Sequence, residues 1–268
     1  MKRRDNSLAM GRKWGQHFLR SQAVIEKIIK AGEISATETI LEIGPGEGVL
    51  TYEMCRQAGA VHVFEIDPEL AEKLRQSGVE NLFVHQGDFL EAELETLRTT
   101  VGDAPVTVVA NLPYYITAPI LQRLLWQRPL PIRRAVLMMQ DEVARRVCGP
   151  ASKEAGAITY FANAFFHTSY LFKVPPGSFS PPPKVNSAVI LASPSDMEPP
   201  TSQQVKFFER IVATVFRTRR KQLARSLRAI TPEPTQWLEQ SEIDPKRRPE
   251  TLTVQEFWRL ARNCPHCE

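Results

Sequence analysis

The chain has 268 residues, a formal net charge of +4, 43% hydrophobic and 24% charged residues, a balance that excludes a mostly disordered, collagen-like or disulfide-stapled chain. No apolar run approaches the ~20 residues that span a bilayer, and the basic opening MKRRDNSLAMGRKWGQHFL lacks an apolar signal core, so no membrane contact is expected. The four cysteines, Cys55, Cys148, Cys264 and Cys267, are too scattered for a disulfide framework, and the terminal CPHC offers two thiolates where zinc wants about four ligands, so a reducing cytoplasm and no metal are expected.

Residues 1–13 carry a net charge of +4. Residues 21–33 place Val24, Ile25, Ile28 and Ile29 at helical spacing behind Ser21 as N-cap. TILEIGPGEGVLT then reads as a buried strand, a glycine turn and a helix start. AVHVFEID is a second strand, followed by a helix opened by Pro68, whose missing N–H costs little at a first position. NLFVHQGD is a third strand and PVTVVANLPYY a fourth, apolar and β-branched as in parallel-sheet cores. ITAPILQRLLWQ reads as a helix, AVLMMQ as a strand and DEVARRV as a helix. This alternation over 38–147 predicts an α/β fold with a doubly wound parallel sheet. AVILA at 188–192 is expected as a late antiparallel strand at the far edge of that sheet.

SPSDMEPPTS reads as a linker, and VKFFERIVATVF, TRRKQLARSLRAI and VQEFWRLAR as amphipathic helices beyond it. Two domains are therefore expected: 1–196, and a small C-terminal helical domain at 197–268. Residues 201–262 carry a net +6 and the chain outside these two basic stretches sums to −6, which suits an enzyme body with polyanion contacts.

The spacing in Gly44-Pro45-Gly46-Glu47-Gly48 is G-x-G-x-G with no Lys-Ser/Thr after it, so it is not a phosphate cradle. Glu65 lies 21 residues after Gly44 at a strand end, where a carboxylate accepts ribose hydroxyls, and Asp88 after the third strand is placed to accept from an adenine amino group. A tight turn at Gly46 and an N-cap at Asp88 remain the bland alternatives; together, the residues favour an adenosine-bearing cofactor. Asn111-Leu112-Pro113-Tyr114 ends the fourth strand at the ligand-binding edge. An aromatic amine is a poor nucleophile, and two N–H acceptors, the Asn111 side-chain oxygen and the Leu112 carbonyl, would favour the charge that develops as it attacks. Pro113 stiffens the turn, and Tyr114 offers a face to a base drawn out of its helix. Phe179-Ser180-Pro181-Pro182-Pro183-Lys184-Val185 is a rigid extended loop that could present Phe179, with Lys184 meeting a phosphate. Over 216–230, helical spacing puts Phe216, Leu223, Leu227 and Ile230 on one face and Arg217, Lys221, Arg225 and Arg228 on another.

GQHFL (15–19), EIGPGEGVLT (42–51), Glu65-Ile66-Asp67, Gly87-Asp88-Phe89, NLPYY (111–115) and FSPPPKVNSAV (179–189) occur in the order found in rRNA adenine N6-dimethyltransferases, which the chain resembles from residue 12 to about 260. FRTRRKQLARSL (216–227) and RPETLT (248–253) resemble the small-subunit branch. The resemblance implies a Rossmann-like class I methyltransferase sheet that binds S-adenosyl-L-methionine. Gly44 and Gly46 would meet its methionine part, Glu65 the ribose and Asp88 the adenine. Gln16, His17 and Leu19 would close over it, His17 standing where the family often has Asn. Asn111 would bridge cofactor and base, and Tyr114 and Phe179 would sandwich the adenine. Lys184, Arg217, Arg219, Arg220, Lys221, Arg225 and Arg248 would bind RNA. The implied activity is N6,N6-dimethylation of two adjacent adenosines in a hairpin near the 3′ end of small-subunit rRNA, serving small-subunit biogenesis. The implied partner is this rRNA or a small-subunit precursor, and a monomer is expected. The alternatives are a large-subunit methyltransferase of the macrolide-resistance type and a non-catalytic assembly factor.

Overall fold

The apolar β-branched runs pair into one seven-stranded sheet in the computed structural model, which describes residues 17–93, 98–99, 104–128 and 130–264. Its strands are β2 (Thr39–Ile43), β3 (Ala60–Glu65), β4 (Leu82–Gln86), β5 (Val106–Asn111), β6 (Ile132–Gln140), β7 (Phe166–Val174) and β9 (Ser187–Pro194), in the order β4-β3-β2-β5-β6-β9-β7. The neighbours from β4 through β6 run parallel, and β9 pairs antiparallel with β6. A separate two-stranded ribbon joins β1 (Phe18–Leu19) to β8 (Phe179–Ser180). Helices α1 (Gln22–Gly32), α2 (Val49–Cys55) and α3 (Pro68–Arg75) connect the first strands. Asp67 caps α3 by accepting from Glu69 and Leu70 N–H, with Pro68 at the first helical position as the sequence predicts. Ser21 stands at the N-cap of α1 in extended conformation, but its hydroxyl makes no capping bond.

Apolar side chains of β2, β3, β5 and β6 meet Leu50, Met54 and Leu74 of the helices in one buried cluster. Each fully buried aliphatic side chain there contributes roughly 1.5–3 kcal/mol. Beyond β5 the chain makes a 3₁₀ turn at Tyr114–Ile116, then α4 (Thr117–Leu121), then a wider π-helical stretch at Gln122–Gln127 ended by Arg128 in the left-handed region, φ 50°. The strand read as AVLMMQ begins earlier, at Ile132, because Arg133 and Arg134 reach back to the carbonyls of Gly32 and Ala31 that α1 leaves unpaired.

Two sequence expectations are corrected in the sheet. The antiparallel strand at 188–192 exists as β9 but is not the edge; β7 lies outside it. FHTSYLFKV alternates between more and less exposed positions along β7, a period-two pattern that the sequence reading passed over.

The chain divides into two compact units. One gathers residues up to Ala144 together with His167–Pro194; the other gathers Arg145–Phe166 with the residues from Ser195 onward. The sequence places the boundary at 196/197, with 145–166 in the sheet domain. The segment falls in the second unit because its aromatic side chains pack there. Tyr160 of α6 (Ala157–Asn163) donates to the Leu252 carbonyl at 2.7 Å and lies 4.5 Å, ring to ring, from Phe257. The chain passes between the units along α5 (Asp141–Val147).

The second unit contains α7 (Ser202–Arg217), α8 (Leu223–Leu227), α9 (Pro234–Gln240) and α10 (Val254–Arg262). Thr201 with Gln204 and Thr253 with Glu256 close reciprocal capping boxes on α7 and α10. The continuous helix expected across 218–230 is broken at 218–222. The Thr218 hydroxyl turns to Ser226 Oγ at 2.7 Å, and Gln222 is extended at the start of α8. Leu223 and Ala224 donate their free N–H groups to the Arg247 and Pro245 carbonyls.

Candidate active site

The glycine turn follows β2 because its backbone must enter the left-handed region, at φ +59° for Gly46 and +83° for Gly48. A Cβ on Gly46 would stand 3.1 Å from the Phe18 ring, and one on Gly48 would collide at 2.8 Å with Tyr52 and Leu74. The turn delivers the Gly46 N–H to Glu65 Oε2 at 2.9 Å, while Glu65 Oε1 accepts from Asp67 N–H at 2.9 Å. Glu65 is buried; desolvation raises its pKa, and the backbone N–H groups pull it back. Glu42, on the neighbouring strand, accepts the Thr51 hydroxyl at 2.6 Å. Burial, opposed by that bond and aided by the nearby Glu65 charge, pushes its carboxyl up to about 8.

Asn111 ends β5 with its Nδ2 donating to the His17 carbonyl at 3.3 Å, which leaves its side-chain oxygen with no donor among the described residues. The Leu112 N–H is taken by the Met138 carbonyl at 2.9 Å, whereas no N–H donates to the Leu112 carbonyl among those residues. Pro113 carries the next bend, its own carbonyl accepting the Thr117 hydroxyl at 3.0 Å. Tyr114 is half-buried; its hydroxyl sits 2.6 Å from Ser187 Oγ, and its ring lies 5.7 Å from the His17 ring, tilted by 33°. His17 Nδ1 is 2.8 Å from the Pro181 carbonyl. Leu19 is buried and pairs with Phe179 in the two-stranded ribbon.

These groups border one cleft of about 820 Å³, part of it open to solvent. Its wall takes in His17, Leu19, Gly44, Gly46, Glu65, Asn111, Leu112, Pro113 and Tyr114 of the sequence-predicted set. It also takes in Glu42, Glu47 and Tyr115, which the sequence reading did not single out. Glu42 had a signal, a lone carboxylate in the apolar strand TILEI. Tyr115 had one too, as the second ring of a doubled aromatic, and it is 59% exposed. Burial first, then Asp88 and Glu65, raise the Tyr115 phenol, so its hydroxyl lies within electrostatic reach of both carboxylates. Ser187 had no local signal; the register Gln140↔Ser187 between β6 and β9 brings it to this edge.

Other predicted residues stand elsewhere. Phe179 is 4% exposed, sits in the main apolar cluster and does not line the cleft, so it does not present the face expected for sandwiching a base. Its ribbon partner Leu19 belongs to the same buried cluster and does reach the cleft wall. Asp88 is off the cleft wall; one of its oxygens accepts Leu90 N–H at 2.8 Å, the turn-capping alternative, and the second accepts no N–H among the described residues. Lys184 is exposed. Gln16 and Cys267 lie outside the described residues. Among those residues no cluster of three or more metal-ligating side chains occurs, and no helix is long and apolar enough to cross a membrane.

In the second unit, Arg217, Arg220, Lys221, Arg225 and Arg248 are exposed. Arg219 is partly covered, its guanidinium donating to the Lys153 carbonyl. The break at 218–222 scatters these cations over a turn and two helix ends, so they form no single helical stripe. Arg225 and Arg228 border an open groove together with Glu233 and Glu239.

The profile of the family described as ribosomal RNA adenine dimethylase matches residues 9–264. The chain belongs to this family. Ribosomal RNA small subunit methyltransferase A of Syntrophotalea carbinolica is 38% identical over 94% of this chain and 95% of its own length. The enzyme of that name from Alcanivorax borkumensis is 33% identical over 96% and 95%. Among solved structures, the 23S rRNA methyltransferase ErmE is similar with a TM-score of 0.72 at 28% identity, over 92% of this chain and 98% of that one. A dimethyladenosine transferase from Plasmodium falciparum shares the fold with a TM-score of 0.75 at 24% identity, over 91% and 96%. The chain is thus an S-adenosylmethionine-dependent rRNA adenine dimethyltransferase with the mostly parallel Rossmann-like sheet of such enzymes. Among the described residues the cleft wall carries no Lys or Arg, which suits a sulfonium better than a pyrophosphate.

Proposed function

We propose that this dimethylase acts on small-subunit rRNA, methylating the N6 of two adjacent adenosines in a hairpin near its 3′ end during small-subunit assembly. The observation that carries the chemistry is a pair of acceptors at the end of β5, the Asn111 side-chain oxygen and the Leu112 carbonyl, which no group among the described residues donates to, on the wall of the cleft. The substrate branch is supported by the small-subunit names of relatives at 33–38% identity over nearly the whole chain.

In this reading S-adenosylmethionine supplies an activated methyl on a positively charged sulfur. Glu65 would hold its ribose, the Gly44–Gly46 backbone its methionine end, and Asp88 its adenine amino group through the free carboxylate oxygen. Asn111 and Leu112 accept the two N–H bonds of the target amine, favouring a pyramidal nitrogen and stabilising the positive charge that develops there. The Asn111 amide is held for this task, because its own N–H₂ is spent on the His17 carbonyl. Tyr114 stacks the extruded adenine. Phe179 supports the wall from the core behind it instead of touching the base. Lys184, Arg217, Arg219, Arg220, Lys221, Arg225 and Arg248 meet rRNA phosphates, which position the substrate while an unpaired base is read in the cleft. The protein works as a monomer in the cytoplasm, without a membrane.

A second reading, methylation of large-subunit rRNA, is favoured by the likeness to a 23S rRNA methyltransferase at 28% identity. The deciding experiment incubates the protein and labelled S-adenosylmethionine with unmethylated small subunits and, separately, with large-subunit RNA, and resolves the nucleosides by mass. Dimethyladenosine from the small subunit alone is the expected result. Product from the large-subunit RNA alone would replace the first reading by the second. Bound cofactor with no product from either would point to an assembly factor.

A further inference from the structure

Two tyrosines follow Pro113, and the fold treats them differently. Tyr115 is 59% exposed. Tyr114 is fixed at both ends: its backbone leaves a proline-stiffened turn, and its hydroxyl meets Ser187 Oγ at 2.6 Å. Ser187 is itself enclosed by the fold. It is fully buried, opens β9 and is held opposite Gln140 by the antiparallel register with β6. The anchor therefore comes from a strand 73 residues further along the chain.

A base stacks on the face of an aromatic ring and has no use for a hydroxyl at its rim. What the hydroxyl can do is stop the ring turning about its side-chain bonds, so that the face is ready before the base arrives. The imidazole of His17, 5.7 Å away at 33°, limits the ring from another side, and that imidazole is in turn tied to the Pro181 carbonyl. Tyr114 is one of the aromatic side chains on the cleft wall, with Phe18 and Tyr115, and the one whose hydroxyl is anchored to a buried side chain.

We propose that Ser187 is a positioning residue for methyl transfer: its hydroxyl anchors Tyr114 and so fixes the ring against which the target adenine stacks. This rests on the reading of Tyr114 as the stacking partner. It adds a residue of the second half of the chain that touches neither cofactor nor substrate. Because Ser187 acts through one oxygen of Tyr114, Ser187→Ala and Tyr114→Phe remove the same bond from opposite ends, and their effects should not add.

The test is a double-mutant cycle on Ser187→Ala, Tyr114→Phe and the combined variant. It is read as kcat and KM on unmethylated small subunits, the Kd for S-adenosylmethionine, and the melting temperature. Each single variant is expected to lower kcat about five- to tenfold, the size of one net hydrogen bond. The double variant should fall no lower than Tyr114→Phe alone, and the cofactor Kd should stay within about twofold throughout, since Ser187 is not on the cleft wall. A kcat for Ser187→Ala equal to wild type, or a double variant showing the product of the two single losses, would overturn the inference. So would a loss confined to the cofactor Kd. If Ser187→Ala melts too early to assay, Tyr114→Phe, which keeps the buried serine, carries the test alone: wild-type kcat in that variant overturns the anchor. A wild-type enzyme that makes no dimethyladenosine on small subunits overturns the substrate reading, and the inference with it. Wild-type activity with an indifferent Ser187 overturns the inference alone.

Discussion

The sheet unit and the helical unit bury their cores with different side chains and keep their polar groups for different ends. The sheet is filled with aliphatics such as Ile40, Leu41, Val61, Val63, Val108 and Val136, all fully buried, as branched side chains pack well on a pleated parallel sheet. The helical unit is filled with rings: Tyr160, Phe208, Trp237, Phe257 and Trp258. Each tryptophan then needs an acceptor, and finds one in a carbonyl, Leu260 for Trp237 and Ala164 for Trp258, both at 3.1 Å. Buried polar groups such as these hold structure in the helical unit, and Arg217, Arg220, Lys221, Arg225 and Arg248 stand in solvent. Among the buried polar groups of the sheet unit, Glu42 and Glu65 face a cleft, and their pKa values are raised by burial. Function in the first unit should depend on sub-ångström geometry, and in the second on charge and salt.

That contrast can be broken most severely in the helical core. Trp258 stacks within 4.2 Å of Phe208 and 5.5 Å of Phe165, so Trp258→Ala is expected to cost about 3–5 kcal/mol of stability by urea unfolding. A cost under ~1 kcal/mol would mean that the rings are not what holds this unit. Asn111→Ala comes next. It should leave the fold intact and lower kcat for adenine methylation by roughly a hundred- to a thousandfold, as removal of a charge-stabilising contact does. Activity near wild type would remove Asn111 from the amine site.

The raised carboxyl of Glu42 gives a pH test. Its folded pKa of about 8 lies above the ordinary 4.5, so its contribution to stability is fully present below about 4.5 and is lost as pH rises through 8. Glu42→Gln should therefore match the wild type near pH 5. It should be increasingly more stable than the wild type from there to pH 9, by an amount on the order of 4 kcal/mol in the cofactor-free protein. A difference independent of pH would show that Glu42 is charged in the fold at all pH values tested. The smallest effect sharpens the other side of the comparison. Arg217→Ala and Arg225→Ala, both exposed, should leave stability unchanged and each reduce the salt-dependence slope of rRNA binding by about 1. A loss of binding that ignores salt would show these arginines to be structural.

The residues that line the cleft are more legible in the sequence than the arrangement of the helical unit. The glycine turn, Glu65 and the Asn111–Tyr114 run each sit at the end of a strand with an unmistakable apolar pattern, so their position followed from local periodicity and from the rule that ligands bind at such strand ends. The C-terminal cations were read on a single helix because Phe216, Leu223, Leu227 and Ile230 keep helical spacing. That spacing survives in sequence across a real break, where Leu223 and Ala224 find carbonyls at Arg247 and Pro245 that no window around 218–230 contains.

From its sequence alone the chain determined what depends on neighbours within a turn or two: the parallel strands β2 to β6 and their helices, the left-handed glycines, the Asp67 cap with Pro68, and the Asn111–Tyr114 run at the end of β5. The tertiary structure alone decided which distant segments meet. It put β9 between β6 and β7, moved 145–166 into the helical unit, turned Phe179 into the core, and set Ser187 against Tyr114. The physical reason is that backbone propensity and side-chain periodicity act over a few residues, whereas burial and pairing are settled by competition among all the apolar faces that the folded chain brings together.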